Sequence, residues 1–283
     1  MNELTFDLVV ATVGRSSELE TLFDSLEAQS HLRFRVVVVD QNDDDRLLPI
    51  LSAHSSLDVL HLKARSGLSR ARNATLERLE ASVIAFPDDD CVYPVDILER
   101  VAAVLTARPE LDGLLGRTVS PEGRSSDNWA TEPMYVDQSS VWHCANSNAI
   151  FLRSSLVEKT GLFDESLGLG SATAWSSGEE TEYLVRALSL GARMEYDPGL
   201  VVVHTDRRPS SELGLRDGAS VGYILGKHSY PARAVAKMAL RPVGGAIVAL
   251  TRRDLAGARF HVATLRGRAI GYRAGLRSAR ASG

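Results

Sequence analysis

The sequence predicts an α/β protein in which a mostly parallel sheet is flanked by helices and followed by a helical C-terminal extension. Two patterns predict this architecture. Short β-branched runs alternate with helical spacing of apolar residues in the N-terminal part of the chain. Beyond residue 206 the chain becomes basic and helical in pattern. Strands separated by helices favour right-handed crossovers and therefore a parallel sheet.

The N-terminal elements follow from local composition. Each predicted strand is a short apolar run bounded by polar residues, and each helix shows apolar residues on one face. Ser16 or Ser17 can cap the first helix, and Pro94 suits the first turn of the last. The predicted strands are 6–13, 34–40, 57–62 and 82–86, and the predicted helices are 17–29, 66–82 and 94–107.

The remainder is less regular. A loop is predicted over 118–146, a strand over 147–152, a glycine-rich loop over 161–178, a helix over 179–190 and a strand ending at His204. The helices that follow are expected to break at Pro209, Pro231 and Pro242. We divide the chain into a first half (1–115), a second half of the same domain (116–206) and a basic extension (207–283). No internal repeat is predicted.

Charge is distributed unevenly. The net charge is −4 overall, but residues 207–283 carry fifteen Lys and Arg against three acids. That extension is therefore near +12 and the rest near −16. A basic surface of this kind can meet anionic lipid, nucleic acid or the acidic half of the chain, or it can be a solvated helical face. Interleaved aromatic residues are lacking, which argues against nucleic acid.

The sequence also gives an expectation for the cellular location of the protein. The first residues run directly into a strand pattern without a signal peptide, and no apolar run is long enough to span a bilayer. Cys91 and Cys144 lack metal-type spacing and are expected to be reduced thiols. A cytoplasmic protein is the expectation, with possible contact to the inner face of the membrane.

The acidic triplet Asp88–Asp90 directly follows the buried strand 82–86. Alternate residues of an extended segment point the same way, so Asp88 and Asp90 can converge. Two convergent carboxylates need a cation between them or a shared proton. A hard divalent ion held by carboxylates and substrate phosphate is one solution. Capping of the following helix is the alternative, but one aspartate would be enough for that.

His204 ends a run of valines. A histidine in this setting is often structural. Its strand should nevertheless end at the same sheet edge as the acidic triplet, and imidazole is a good Mn²⁺ ligand.

Arg65, Arg70 and Arg72 surround the start of a helix that is entered through Gly67. The helix dipole disfavours cations there but favours anions. Arginines beside such a helix start can join in holding a phosphate. Salt bridges to the acidic run 42–45 are the alternative.

Glu179 and Glu180 open the helix 179–190 after Ser176 and Ser177. Capping explains an acidic first turn. One of the glutamates could instead serve as a general base. Trp175 in the adjacent glycine-rich loop offers a flat aromatic face on which a sugar ring can pack.

Taken together, these motifs resemble an inverting, metal-dependent family-2 glycosyltransferase with the GT-A fold, a Rossmann-like sheet. The resemblance covers roughly residues 5–206. It rests on VVATVGR, VVVVDQND, GLSRARN, the Asp-x-Asp at 88–90, GLFDESLGLG and the Glu-Glu at 179–180.

The resemblance implies a role for each matching residue. Glu180 would be the catalytic base, with Glu179 as second choice, because the family often has Asp after Glu at this point. Asp90, His204 and Asp88 would hold Mn²⁺ or Mg²⁺. Trp175 and Gly170 would contact the acceptor. The nucleotide-sugar would be bound by Thr12, Arg15, Asp40, Arg65, Arg70, Arg72, Asp88 and Asp89.

The implied reaction moves a sugar from a nucleoside-diphosphate sugar, of UDP or dTDP type, to a hydroxyl of a saccharide or lipid-linked acceptor. Polysaccharide or glycoconjugate assembly is the expected setting. A nucleotidyltransferase is the main alternative, but it usually carries a glycine-rich loop after the first strand, and only Gly14 is present there. A non-catalytic sugar- or membrane-binding protein on the same scaffold is the second alternative.

Overall fold

A computed structural model describes residues 3–125, 129–205 and 209–282. The chain forms two compact units. The first comprises Met1–Ser66, Arg70–Phe163 and Tyr183–Asp206. The second comprises Gly67–Ser69, Asp164–Glu182 and Arg207–Gly283.

The first unit begins with the predicted alternation of strands and helices. The observed strands are β1 (Phe6–Thr12), β2 (Phe34–Asp40), β3 (Val59–Lys63) and β4 (Val83–Ala85). The helices between them are α1 (Ser17–Glu27), α2 (Leu48–Ala53) and α3 (Leu68–Asn73), with a 3₁₀ turn at Leu76–Arg78.

The predicted helix over 66–82 is wrong in length. Its α-helical part ends at Asn73 because the Asn73 side chain bonds the backbone of Phe163, donating to the carbonyl at 3.0 Å and accepting the N–H at 2.7 Å. The Thr75 hydroxyl also donates to the carbonyl of Arg72. These bonds compete with helix propagation.

The second half of the first unit adds short strands. These are β5 (Cys91–Val92), β6 (Gly113–Val119), β7 (Met134–Tyr135), β8 (Ile150–Arg153) and β9 (Met194–His204). The helices are α4 (Ile97–Ala107), α5 (Ser154–Thr160) and α6 (Glu179–Ser189). Residues 147–149 of the predicted strand 147–152 form a 3₁₀ turn instead. The elements α2, α5, β5, β6 and β7 were not predicted.

Among the described residues, nine strands form one sheet in the order β3-β2-β1-β4-β8-β6-β9-β5, with β7 beside β9. The strands β3, β2, β1 and β4 are parallel, as predicted. Beyond them the sheet is mixed, since β8 runs antiparallel to β4 and β6, and β6 runs parallel to β9. The α/β fold class is confirmed.

The core lies between this sheet and its helices. Leu19, Leu22, Phe23 and Leu26 form the buried face of α1 and pack in one cluster with sheet residues such as Val36. Their spacing is that of an amphipathic helix. Cys91 and Cys144 are buried free thiols.

The second unit contains three long helices, α7 (Ser211–Lys227), α8 (Ala232–Thr251) and α9 (Leu255–Ser282). Pro231 precedes α8, as predicted. The predicted break at Pro242 is wrong, because this residue lies inside α8. A proline inside a helix loses one hydrogen bond, and here the helix continues beyond it. The predicted break at Pro209 lies before α7, next to residues 206–208, which are outside the described residues.

Glycines allow α7 and α9 to approach very closely. They recur every fourth residue on both helices, so that they share one face of each. The set is Gly214, Gly218, Gly222 and Gly226 on α7 and Gly267, Gly271 and Gly275 on α9. An added Cβ at most of these positions would collide with the backbone of the opposite helix. The spacing is visible in the sequence, although it was not among the predicted features.

We expect Gly222→Ala to destabilise the second unit by about 2 kcal/mol, because a Cβ at this position would lie 2.2 Å from the carbonyl oxygen of Arg268. The measurement is thermal and urea unfolding followed by helical circular dichroism.

Gly244→Ala is the matched control. Gly244 also lies inside a helix, but a Cβ there would meet no atom within 4 Å. Helix propensity then favours alanine by up to about 1 kcal/mol. Equal stability of the two variants would contradict close packing of α7 against α9.

Candidate active site

The acidic triplet lies at the carboxyl edge of the parallel strands. Asp88 follows β4 and forms an isolated parallel bridge with Ala11 of β1. The chain then enters β5 at Cys91. Ligands of open α/β sheets bind at this edge.

Asp88, Asp90 and His204 converge. The Nε2 atom of His204 lies 3.1 Å from Oδ1 of Asp90 and 3.8 Å from Oδ2 of Asp88. The cause is strand pairing, since β5 runs antiparallel to β9 with Cys91 opposite His204. One potential ligand atom from each of the three side chains falls within 4.8 Å of the others.

Arg15 compensates part of the negative charge. One of its nitrogens, Nη1, lies 2.7 Å from Asp89 and 2.6 Å from Asp90. Burial raises the pKa of Asp89, and Arg15 only partly opposes that effect. Burial alone would also raise the pKa of Asp90, but His204 and Arg15 hold it below its usual value. The carboxylate of Asp90 is therefore stabilised in its charged form.

Arg72 is placed differently from the expectation of a phosphate contact. It is only 1% exposed. Its guanidinium carbon lies 5.6 Å and 5.5 Å from the ring centres of Phe86 and Phe163, and Nη2 lies 3.6 Å from Asp88. Arginine stacks well on aromatic faces. Its position favours holding Asp88 from the core side.

Asn148 is a site residue that sequence reasoning missed. Its side-chain amide donates to Oδ2 of Asp88 at 3.2 Å and accepts the backbone N–H of Asp88 at 2.7 Å. Ser147 donates to the other carboxylate oxygen at 3.3 Å. The polar Ser-Asn pair in an otherwise apolar predicted strand was the available signal.

Asp40 is fully buried, and its oxygens accept several hydrogen bonds. Oδ1 accepts from the backbone and side chain of Asn42, and Oδ2 lies 3.0 Å from both His61 and Lys63. Burial alone would raise the pKa of Asp40, but these bonds hold it below its usual value. The carboxylate is thus engaged inside the protein, where a direct nucleotide contact was expected. The sequence analysis did not identify Asn42, His61 and Lys63 as partners of Asp40.

The other predicted donor-binding residues differ in exposure. Thr12 ends β1 and is buried. Arg65 is exposed, and Arg70 is exposed with Nη1 donating to the carbonyl of Ser66.

The donor atoms of Asp88, Asp90 and His204 fit a divalent cation, because carboxylate oxygen and imidazole nitrogen are suitable ligands for Mn²⁺. Within the described part of the chain a second group with possible ligand spacing is Asp24, Glu27 and His54. Its two carboxylates are exposed, and surface ion pairing explains it.

The predicted catalytic and acceptor residues lie in the second unit. Glu179 is buried at 5% exposure, whereas Glu180 is half-buried. Trp175 stacks on Tyr223 of α7, with ring centres 5.0 Å apart and planes at 6°. One face of the indole is therefore covered. Gly170 is exposed at φ 81°, where glycine is favoured.

A buried ionic network fixes the first turn of α6 in the second unit. Glu182 is fully buried, and its Oε1 lies 2.7 Å from Nζ of Lys227 and 3.0 Å from Nε2 of His228. Lys227 also lies 2.7 Å from Asp164. The end of α7 thus connects the start of α6 to the loop after residue 163, and all of these side chains are half-buried or buried.

Solved structures show the class of fold. The chain resembles the mannosyltransferase PcManGT from Pyrobaculum calidifontis in complex with GDP-Man and Mn²⁺, with a TM-score of 0.67 and 16% identity over 95% of this chain and 87% of that one. It also resembles TarS from S. aureus, with a TM-score of 0.63 and 18% identity over 90% of this chain and 54% of that one. The fold is that of the GT-A glycosyltransferases.

The sequence model for glycosyl transferase family 2 matches residues 7–158. This is more than half of the chain, which therefore belongs to that family. The resemblance inferred from the motifs is confirmed.

Related proteins are named glycosyltransferases. The chain is 28% identical over 217 residues to the pre-mycofactocin glycosyltransferase of Mycobacterium tuberculosis, covering 71% of this chain but only 42% of that protein. It is 22% identical over 216 residues to glycosyltransferase AglE of Haloferax volcanii, covering 73% and 68%. The chain thus spans less than half the length of the mycobacterial relative.

Lys227→Met should lower the free energy of unfolding by about 3 kcal/mol, because it leaves the buried carboxylate of Glu182 without its lysine partner. The exposed Lys237 is the matched control, and Lys237→Met should change stability by less than about 0.5 kcal/mol. Chemical denaturation at neutral pH measures both. Equal effects would contradict the network.

The same variant should change the pH dependence of stability. The pKa of Asp164 lies below its usual value because bonds from Lys227 outweigh the opposing effect of burial. Such a carboxyl contributes stability above its unfolded pKa, and the contribution is lost as the pH falls through the folded value. Unfolding free energies measured from neutral to acid pH should therefore fall less steeply in Lys227→Met than in the wild type.

Proposed function

We propose that this chain catalyses transfer of a sugar from a nucleoside-diphosphate sugar to an acceptor hydroxyl, with inversion at the anomeric carbon. The observation that carries the proposal is the convergence of Asp88, Asp90 and His204 at the carboxyl edge of the sheet. Membership of glycosyl transferase family 2 supports it. A UDP- or dTDP-sugar is the proposed donor, and a TarS structure in complex with UDP-GlcNAc is among the neighbours in fold.

The proposed metal residues are Asp88, Asp90 and His204. They would hold Mn²⁺ or Mg²⁺, which supplies positive charge beside the leaving diphosphate. Arg15 already neutralises part of the acidic cluster through Asp89 and Asp90.

The arginines have separate proposed tasks. Arg65 and Arg70 are exposed and can approach the diphosphate or the base, as the resemblance implies. Arg72 would act through Asp88, because it is buried beside that carboxylate. Thr12 and Asp40 would shape the floor of the nucleotide site from the ends of β1 and β2.

Glu180 is the proposed general base. It would take the proton of the acceptor hydroxyl as that oxygen attacks the sugar from the face opposite the leaving group. Its greater exposure favours it over the buried Glu179. Trp175 has one indole face covered by Tyr223, and its other face, together with Gly170, is the proposed acceptor contact.

The acceptor is proposed to be a saccharide or a lipid-linked saccharide, met at an anionic membrane surface inside the cell. Among the described residues, α8 is the one helix long and apolar enough to cross a membrane, so the prediction that no apolar run could do so is wrong for this segment. An 18-residue window of this helix has a mean hydropathy of 1.3, and 11% of that window is buried. One such helix is weak evidence of a span. Its partner α9 carries six arginines, which are costly inside a bilayer. We therefore propose surface contact.

Nucleotidyl transfer and a non-catalytic role are the alternatives that the sequence left open, and membership of glycosyl transferase family 2 favours neither of them. Product analysis distinguishes nucleotidyl transfer from sugar transfer, because sugar transfer releases a nucleoside diphosphate and nucleotidyl transfer releases pyrophosphate. Donor hydrolysis tests the non-catalytic role, since a binding protein would leave the donor intact.

Asp90→Asn should weaken Mn²⁺ binding by about tenfold or more, because a charged ligand becomes a neutral amide. Isothermal calorimetry with Mn²⁺ measures this directly. Asp24→Asn is the control from the other acidic group and should bind Mn²⁺ like the wild type. Weaker Mn²⁺ binding in Asp24→Asn, together with normal binding in Asp90→Asn, would instead assign the metal site to the surface of α1.

Glu180→Gln should keep donor binding and lower turnover by about a hundredfold or more, because the amide cannot accept a proton. Donor affinity is measured by calorimetry and turnover by release of nucleoside diphosphate. Glu158→Gln changes an exposed glutamate of α5 and should leave turnover unchanged. Near-normal turnover in Glu180→Gln, with a large loss in Glu179→Gln, would assign the base to Glu179.

A further inference from the structure

Arg268 of α9 is a half-buried cation, and two of its guanidinium nitrogens are covered without a hydrogen-bond partner among the described residues. These are its Nε and Nη1 atoms. A buried polar group left unpaired is costly, and a charged one more so. Burial first, and the nearby charge of Arg241 second, lower the pKa of Arg268 to about 10, so it remains charged at neutral pH.

The hairpin of α8 and α9 cannot supply an anion to Arg268 from its own helices. Residues 232–282 contain eleven Lys and Arg, and their single acid is Asp254 in the connection between the helices. The neighbouring helix α7 carries Glu212 and Asp217, but neither bonds the Nε or Nη1 atom of Arg268. An external anion is a further way to compensate the charge.

Helix geometry brings Arg241 and Arg268 to the same end of the hairpin. A Cβ at Gly245 of α8 would contact the ring of His261 on α9, and one at Gly257 would contact Ala249. The helices are therefore antiparallel. Arg241 lies four residues before Gly245 and Arg268 seven after His261, spacings that keep each on the facing side of its helix. Both lie away from the connecting loop.

Next to this pair α8 presents an exposed apolar stripe. Leu240, Val243, Ile247 and Leu250 recur at helical spacing and are 66%, 37%, 58% and 56% exposed. Monomeric soluble proteins rarely leave such a stripe in water. The apolar stripe of α8 can contact hydrocarbon, and the neighbouring arginines can bind an anion. A ligand with a hydrocarbon chain and a phosphate group would satisfy both.

A groove of about 700 Å³ continues the apolar surface between α7, α8 and α9. Leu215, Leu255 and Val262 are among its lining residues, and its charged lining consists of Arg259, Arg266 and one acid, Glu212. Apolar walls with basic residues among them suit the same kind of ligand.

We propose that Arg268 and Arg241 bind the phosphate of an anionic membrane lipid, whose hydrocarbon lies along the apolar stripe of α8. The proposal rests on the membrane contact proposed above and is independent of glycosyl transfer. Arg268 is partly exposed as a residue, so its guanidinium can turn towards a phosphate at the surface. In the lipid-free protein the covered nitrogens of Arg268 without a hydrogen-bond partner then raise the free energy of the folded state. Binding of the lipid phosphate would remove this unfavourable contribution.

The test uses the full chain and phosphatidylcholine vesicles with and without one part in three phosphatidylglycerol. Arg268→Met should weaken flotation with the anionic vesicles by about tenfold or more, since it removes a charge-assisted bond. Arg273→Met removes an exposed arginine of the same helix and should cost about fivefold or less, the effect of one charge near an anionic surface. Equal losses would overturn the specific site.

Thermal unfolding of the lipid-free protein gives a second readout. Arg268→Met should melt at the same or a higher temperature than the wild type, because an uncompensated buried charge is gone. A clear fall in its melting temperature would show that Arg268 is a structural residue and would overturn the proposal.

Two further measurements test the apolar stripe and the identity of the bound anion. Leu240→Ser with Ile247→Ser should reduce flotation with both kinds of vesicle. If the wild type binds neither kind, the membrane contact itself is wrong. If inorganic phosphate raises the melting temperature of the wild type but not of Arg268→Met, and vesicles do not bind, the site takes a soluble anion and the lipid proposal fails.

Discussion

Three consecutive carboxylates at the edge of the sheet are the constraint around which the first unit is arranged. Asp88, Asp89 and Asp90 would repel one another if they were left in a low-dielectric setting. Arg15 bonds Asp89 and Asp90, His204 also approaches Asp90, and Arg72 approaches Asp88 from the core. The site is thus a cluster of charges in which each carboxylate has at least one oppositely charged or hydrogen-bonding neighbour, and Asp89 and Asp90 share Arg15. In our proposal the cation site is therefore already shaped by these contacts before the cation binds.

The short strand β5 is what makes this balance possible. It has two residues, and its pairing with β9 places His204 opposite Cys91, directly after the triplet. Asn148 then holds Asp88 at both its backbone and its side chain. Tyr93 donates to the carbonyl of Asn148 at 3.0 Å and extends the support into the core. The proposed metal ligands lie in or directly beside the sheet, since Asp88 bridges to β1, Asp90 lies in the turn before β5 and His204 ends β9. Ligands that the fold positions in this way suit a preorganised site.

The second unit is stabilised by close helix packing and by a buried ionic network. Close packing of α7 and α9 depends on the absence of side chains at the glycine positions, and the network of Glu182, Lys227 and Asp164 joins α7 to the start of α6. The helical extension thereby supports the segment that carries the proposed base. Its other surface is apolar along α8 and basic along α9. In our proposal the same helices serve both catalysis and contact with the membrane.

The sequence by itself determined the parallel strands, most helices and the acidic triplet with His204, because β-branched runs, helical spacing and strand-end polar residues are local signals. It also supplied the family through the order of its motifs. Only the tertiary structure decided that α3 ends at Asn73, that α8 continues through Pro242, and that Asp40 and Arg72 are engaged inside the protein. Each of these outcomes depends on burial or on a contact between residues far apart in the chain, such as Asn73 with Phe163 and Asp40 with His61. Burial and distant partners are properties of the folded chain, and no local pattern of residues encodes them.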